Sequence, residues 1–262
     1  FRGDGDAPDW TRLYERRSDY PIGTVPEGGL ILFAGADVQK DRIEVEVVAY
    51  GRRMQSWSVA YRVVPGDTSQ LDGPGSPWRQ LDELLGEVFP HAVGDTGLRV
   101  QRLAVDAGYN TNTVYQWVRR QAANRVIAVD GRDTYQMIIG QPKAVDFTER
   151  GRRKSRSVKL WPVGSSLAKT ELYGWLKQVK AGDDVPFGWC NFPAYNDEYF
   201  RQLTAEEIVP RVVKGYRKLH WEKVYNRNEA LDCRVYARAA AALEGIVRWG
   251  DGQWEEQGGE VG

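Results

Sequence analysis

Leu30 to Gln39, LILFAGADVQ, constrains the fold more than any other stretch of this chain. Its first seven residues carry no charge, and the run then meets Asp37 and the charged Lys40-Asp41-Arg42. An apolar run this short, bounded by charge, reads as a strand buried on both faces that emerges into solvent at its C-terminal end. A sheet covered on both sides is therefore expected, with Asp37 at its rim. Asp is also an ordinary turn former where strands end, so Asp37 needs partners before it carries chemistry.

The following residues extend the sheet. Arg42 to Tyr50 alternates, with Ile43, Val45 and Val47 on one side and Glu44 and Glu46 on the other. Gly51-Arg52-Arg53 turns into a third strand, Met54 to Val64, so an antiparallel three-strand meander is expected. Pro65 to Pro77 reads as a loop. Trp78, Leu81, Leu84, Leu85 and Val88 then fall at helical spacing, which predicts a helix over Ser76 to Phe89 with Pro77 in its first turn. Val100 to Asp106 is a second apolar strand ending on an acid. A helix capped by Thr111 or Asn112 and carrying Val114, Trp117 and Val118 follows it. Val126 to Val129 is the next strand, and strand-helix-strand order makes it parallel to the one before.

Between Gly131 and Lys159 no periodicity survives, and Glu149 to Lys159 holds six basic residues in eleven positions. Such a run reads as a solvated loop that could order against phosphates. Beyond it the pattern predicts a short strand over Leu160 to Val163, a helix over Ser165 to Val179 and a short helix over Phe200 to Ile208. A basic β-ribbon follows, Glu207 to Val213 with Tyr216 to Glu222 around Gly215. Last come a long Ala-rich helix over Asn228 to Arg248 and a polar tail.

Composition narrows the function. The 36 basic and 36 acidic residues cancel, so any nucleic-acid contact must come from local patches. Cys190 and Cys233 offer neither a disulfide framework nor zinc spacing, and His91 and His220 leave little room for a histidine metal site. No apolar run approaches a membrane span and no signal peptide is present, so a soluble, intracellular protein is expected. The first residue is Phe1, not Met, which suggests a piece of a longer chain.

Three carboxylates stand at related places. Asp37 and Asp106 end two buried strands, and neighbouring strands can present both acids at one sheet edge. In the last helix the inward stripe Tyr236, Ala239, Leu243 and Ile246 continues one turn back to Asp232, an acid pointed at the sheet. Three converging carboxylates repel one another unless cations neutralise them, and oxygen ligands favour Mg²⁺ or Mn²⁺ over zinc. Two such ions, about 3.5–4 Å apart, are the arrangement that hydrolyses phosphodiesters. Gly35 and Gly108 flank the acids and permit close backbone approach. Glu229, three residues before Asp232, is a candidate fourth ligand.

Gly164-Ser-Ser-Leu-Ala-Lys169-Thr170 is similar to a phosphate loop but is one residue short and lacks the glycine before lysine. A helix start with Ser165 or Ser166 as cap is expected there instead. His220 reads as a surface ribbon residue and Cys233 as a small buried side chain.

The order of elements, a meander, then strand-helix-strand, then a closing acidic helix, resembles the ribonuclease H-like fold: an α/β mixed sheet flanked by helices. Five segments narrow the likeness: GDAPDWTRLYERRSDYP, AGADVQKDRIEVEVVAYG, QSWSVAYRVVPGD, AVDAGYNTNTVYQWVRR and NRNEALDCRVYARAAA. Together they resemble the A-type large terminase subunit of lambda-like tailed phages, from about Gly5 to Leu243. The resemblance covers the nuclease half of that family and not its N-terminal packaging ATPase.

The resemblance implies a metal-dependent endonuclease that cuts concatemeric double-stranded DNA. Asp37, Asp106 and Asp232 match the family's three acidic positions, so they are expected to be catalytic and to hold two Mg²⁺ or Mn²⁺ ions, with Glu229 as a further ligand. Arg150, Arg152, Arg153, Lys154 and Arg156 of the basic run, and Lys214, Arg217 and Lys218 of the ribbon, are the expected DNA contacts. Residues 1–28 would be a linker from the ATPase domain, 29–250 the nuclease and 251–262 the tail. Implied partners are the small terminase subunit and the portal of the procapsid, in the host cytoplasm. Another ribonuclease H-like enzyme, a transposase or junction resolvase, and a non-catalytic DNA or portal docking module are the alternatives.

Overall fold

The computed structural model describes residues 7–149, 151–213 and 216–259; the side chains of residues 212–218 are outside the description. In chain order the elements are α1 (Trp10–Glu15), β1 (Ile31–Val38), β2 (Arg42–Tyr50), β3 (Ser56–Pro65), α2 (Pro77–Gly86), β4 (Phe89–Pro90), β5 (Gly97–Leu98), β6 (Val100–Asp106) and α3 (Thr111–Arg120). Then come β7 (Val126–Gly131), β8 (Lys143–Glu149), β9 (Arg152–Val163), α4 (Ser165–Leu176), β10 (Cys190–Asn191), α5 (Asp197–Leu203), β11 (Glu206–Val213), β12 (Tyr216–Lys223), α6 (Glu229–Glu244) and α7 (Asp251–Gly259). Eight strands form one mixed sheet in the order β10-β3-β2-β1-β6-β7-β9-β8. The β1–β2–β3 meander is antiparallel, whereas β6 pairs parallel with β1, and β7 parallel with β6.

All eight residues of β1 are buried, because both faces of the sheet are covered. Side chains alternate between faces with period two. Leu32, Ala34, Ala36 and Val38 pack with Trp78 and Leu81 of α2 and Val114 and Trp117 of α3. Ile31 and Phe33 lie in the opposite core with α4, α5 and α6. The same parity puts Gly35 and Asp37 on the α6 face, and on β6 it does so for Ala104 and Asp106. Both acids therefore look toward α6.

The α6 helix has twelve buried residues. Its run of alanines favours helix formation and permits close approach. It ends at Gly245, whose left-handed φ of 83° and N–H bonds to the Ala241 and Ala242 carbonyls form a helix stop that glycine adopts without strain. On β2 the alternation is as expected, but Glu44 and Glu46 do not face water. Both are fully buried under α6. Glu44 takes hydrogen bonds from Arg42, Arg227 and Tyr61, and Glu46 from Arg234 Nη1 and Tyr199 Oη, each at 2.8 Å.

Several boundaries differ from the sequence expectation. The patternless stretch after Gly131 contains a β-hairpin: β8 pairs antiparallel with β9, a twelve-residue strand whose end, Leu160 to Val163, also pairs parallel with β7. Its outer half is exposed on both faces, which erases the period-two signal. Phe89 leaves the predicted helix for β4, and α3 is preceded by Asn110 in a left-handed conformation rather than capped by Thr111 or Asn112. Gly164, not Ser165 or Ser166, occupies the cap position of α4, which stops at Leu176. The α5 helix sits earlier than Phe200 to Ile208 because Glu206 already belongs to β11. Asp251 to Gly259 of the expected tail forms α7, which buries Trp254 edge-on against Trp249. Within residues 1–28, α1 packs on α5, with Tyr14 edge-on to Phe200. The β11–β12 ribbon is antiparallel as expected, though Gly215 lies outside the described residues.

Candidate functional site

Because Ala36 pairs with Val105 in the parallel β1–β6 register, the next residues, Asp37 and Asp106, emerge side by side at the C-terminal edge of the sheet. Asp232 meets them from α6, and the contact that seats this helix is Gly35. A Cβ at Gly35 would stand 2.0 Å from the Cys233 carbonyl oxygen and 2.5 Å from the Ala237 nitrogen. Only hydrogen in place of a side chain lets the helix backbone lie on the strand.

Asp37 is 5% exposed and accepts one hydrogen bond, from Gln39 Nε2 at 2.5 Å. Burial and then the neighbouring Asp232 push its carboxyl up to about 8, opposed by the Gln39 bond and reinforced by Asp106 and Glu229. Asp106 accepts from Tyr236 Oη at 3.2 Å and from the Gly108 N–H. Burial raises it, and those two bonds hold it back. A Cβ on Gly108 would press on Asp106 Oδ2 at 2.9 Å. Burial lifts Asp232 to about 7, against the pull of Lys169 and with the push of Glu206 and Asp106. Asp232 Oδ2 accepts from Asn228 Nδ2 at 2.9 Å, and Lys169 Nζ lies 3.8 Å from Oδ1.

The structure thus brings Asp37, Asp106 and Asp232 to one end of the sheet as electrostatic neighbours. Among the described residues, no group of three His, Cys, Asp or Glu side chains is gathered closely enough to hold a metal ion as it stands. Glu229 is buried nearby, but its carboxylate is committed to Arg42 and to Arg227 Nε at 3.4 Å.

Of the expected DNA contacts, Arg150 and Lys214 lie outside the described residues, and Arg217 and Lys218 are on β12 with side chains outside the description. Arg152, Arg153, Lys154 and Arg156 are exposed on β9. Arg153 is bonded to Asp146 through Nε at 2.9 Å, and Lys154 stands 3.7 Å from Glu149. Arg152 and Arg156 have no ion pair among the described residues. Asn112 and Gln116 of α3 both bond the Thr148 carbonyl at 2.9 Å, and Asn112 also accepts from the Thr148 N–H. The basic end of the hairpin is thereby pinned to the helix that follows Asp106.

Sequence reasoning missed several neighbours. Asp130, at the end of β7, adds to the field on Asp106 and pairs with Arg132 at 2.8 Å. Its signal was present, since VIAVDG repeats the pattern of an apolar run ending on an acid. Lys169, which in sequence resembles the lysine of an incomplete phosphate loop, has a side chain 9% exposed and turned inward, 2.8 Å from Glu206 Oε2. Tyr236 lies on the inward stripe that the sequence shows, but its bond to Asp106 has no local signal, and neither has the pairing of Asn228 with Glu206 and Asp232.

Comparison with known proteins gives the class, an endonuclease domain. The chain belongs to the family of terminase large subunit gpA endonuclease domains, whose model matches residues 1–254. It is 31% identical over 252 residues to the terminase large subunit of Escherichia phage lambda, covering 94% of this chain and 37% of that protein. It is 30% identical over 232 residues to the terminase large subunit of Enterobacteria phage P21, covering 86% and 34%. The chain spans about a third of the length of these curated relatives. No solved structure matches it. Among the described residues, no helix is long and apolar enough to cross a membrane.

Proposed function

We propose that this chain hydrolyses phosphodiester bonds of double-stranded DNA at Asp37, Asp106 and Asp232, using two divalent cations, Mg²⁺ or Mn²⁺. The observation that carries the proposal is the convergence of these acids: the β1–β6 register sets Asp37 beside Asp106 at one sheet edge and the close contact of Gly35 with α6 brings Asp232 to them, where each is raised by burial and Asp37 further by both of the others. Neighbouring carboxylates, one buried and two only partly open to water, are a costly arrangement that a cation makes favourable. The donor chemistry fits, being all oxygen and hard, as Mg²⁺ and Mn²⁺ prefer, and binding would draw the three carboxylates closer together than they stand among the described residues.

Bound there, such cations supply an activated water and offset charge on the leaving oxygen. The chain does the positioning. Buried β1 and β6 hold Asp37 and Asp106 on rigid backbone, Gly35 sets the depth of α6 and hence of Asp232, and Gln39 and Tyr236 each orient one carboxylate. Arg152 and Arg156, without an ion pair among the described residues, on the hairpin that is pinned to α3, are the cations best placed to take DNA phosphates. On the family resemblance, residues 1–28 would lead in from a packaging ATPase, and the small terminase subunit and the procapsid portal would be partners in the host cytoplasm.

The test is cleavage of linear and supercoiled duplex by the purified chain in Mg²⁺ or Mn²⁺. Asp37→Asn, Asp106→Asn and Asp232→Asn should each abolish cutting without unfolding the chain. Nicking retained in Mn²⁺ by any of the three would overturn the assignment. Preference for four-way junctions would move the chain to the resolvase class, and portal binding without any cleavage would make it a docking module.

A further inference from the structure

We propose that Lys169 and Asn228 are the positioning residues of the Asp232 carboxylate, held in register by Glu206 at the foot of the β11–β12 ribbon; this rests on Asp232 being a catalytic carboxylate. Four side chains form a closed ring. Glu206 accepts from Lys169 Nζ on Oε2 and from Asn228 Nδ2 on Oε1, both at 2.8 Å. Each of those donors also reaches Asp232, Asn228 Nδ2 at 2.9 Å from Oδ2 and Lys169 Nζ at 3.8 Å from Oδ1. One oxygen of Asp232 is thus held by the Asn228 hydrogen bond and the other faces the Lys169 ammonium as an ion pair, which orients the carboxylate.

The ring is itself anchored. Lys223 Nζ donates to Asn228 Oδ1 at 2.6 Å, which turns the amide so that its NH₂ points at both acids. Tyr173 Oη donates to the Glu206 backbone carbonyl at 2.8 Å, tying the start of β11 to α4. Lys169, Glu206 and Asn228 are each less than one-tenth exposed.

Asn228 and Lys169 both depart from their local roles. Asn228 occupies the N-cap position of α6, where Asn ordinarily accepts from a backbone N–H of the first turn. Here it makes no such bond, so the helix forgoes its cap and the side chain serves Glu206 and Asp232 instead. Local rules are broken in this way where a site demands it. Lys169 stands where a phosphate loop would place the lysine that grips a nucleotide. Its ammonium instead faces two acids from inside the protein, so it belongs to the nuclease centre.

The test uses the purified chain with Asn228→Ser, Lys169→Met, Lys169→Arg and the charge-conserving pair Lys169→Met with Glu206→Gln. Melting temperature, Mn²⁺ affinity by electron paramagnetic resonance, and kcat and KM on linear duplex are measured for each. Serine is too short to span to Asp232, so Asn228→Ser removes the bonds to both acids while keeping a small polar residue at the helix start, and the chain should still melt cooperatively. It should lose on the order of tenfold or more in kcat or Mn²⁺ affinity, with KM for DNA unchanged. Lys169→Met and the charge-conserving pair should lose a similar factor, and Lys169→Arg should recover part of it. Wild-type kcat and Mn²⁺ affinity in Asn228→Ser and in the charge-conserving pair would overturn the proposal. So would losses that merely follow the melting temperature, or a Lys169→Met chain whose only defect is lost ATP binding. If the unaltered chain binds no Mn²⁺, or Asp232→Asn cuts at the wild-type rate, the assignment of Asp232 fails first and takes this proposal with it.

Discussion

Gly35 lies against Cys233 so closely that a methyl group on the glycine would reach within 2.0 Å of the Cys233 carbonyl oxygen. That contact joins the strand of Asp37 to the helix of Asp232, and it leaves no room for adjustment because both partners are backbone. Gly35→Ala should push α6 outward, costing about 3 kcal/mol. Cleavage should be lost even where the variant remains folded. Chemical denaturation and a nicking assay on the same preparation check this; full activity at wild-type stability would show that α6 can shift without consequence.

Stability should depend on pH in a direction set by the acids of the site. Asp37 and Asp232 are raised to about 8 and about 7 from 3.8, so the folded chain binds their protons more tightly than the unfolded chain does. Their contribution is fully present below about pH 4 and is lost as pH rises through 7 and 8. In EDTA the melting temperature should fall between pH 6 and pH 9 on this account, less steeply in Asp37→Asn. Added Mn²⁺ should reverse the fall. A flat profile in EDTA would contradict the raised values.

The buried pair Arg234–Glu46, at 2.8 Å, sits under α6 away from the candidate centre. Arg234→Leu strands Glu46 in the core and should cost about 3–5 kcal/mol. Combined with Glu46→Gln, the loss should shrink, because an uncompensated charge and not the missing contact dominates it. Equal destabilisation by the single and the double variant would point to packing of the guanidinium instead.

Within the basic hairpin the arginines are unequal. Arg153 and Lys154 are engaged by Asp146 and Glu149, whereas Arg152 and Arg156 are unpaired among the described residues. Arg152→Gln with Arg156→Gln should weaken duplex binding and lower the salt slope by about 2, one for each phosphate contact removed. Arg153→Gln with Lys154→Gln should do less. Fluorescence anisotropy across a salt series separates them, and identical slopes for the two double variants would remove the distinction.

The sequence by itself determined the two ideas on which the fold rests. An apolar run ending in Asp37 and another ending in Asp106 need a sheet covered on both faces, and short-range periodicity is enough to say so. It also determined the meander, the ribbon and the inward stripe of α6, because alternation and helical spacing are local properties. The hairpin of β8 and β9 was not legible, since a strand exposed on both faces has no apolar period to read.

What only the tertiary structure decided are the partners brought from far along the chain. Glu44 and Glu46 look like a solvent face until α6 lays Arg234 and the Arg227 loop over them. Lys169 looks like a fragment of a nucleotide loop until Glu206 and Asp232 close around it. Asn228 looks like a helix cap until its amide is found bonded to two acids instead. A side chain's local pattern says which way it points; only the packed fold says what charge is waiting there, because that charge belongs to residues tens of positions away.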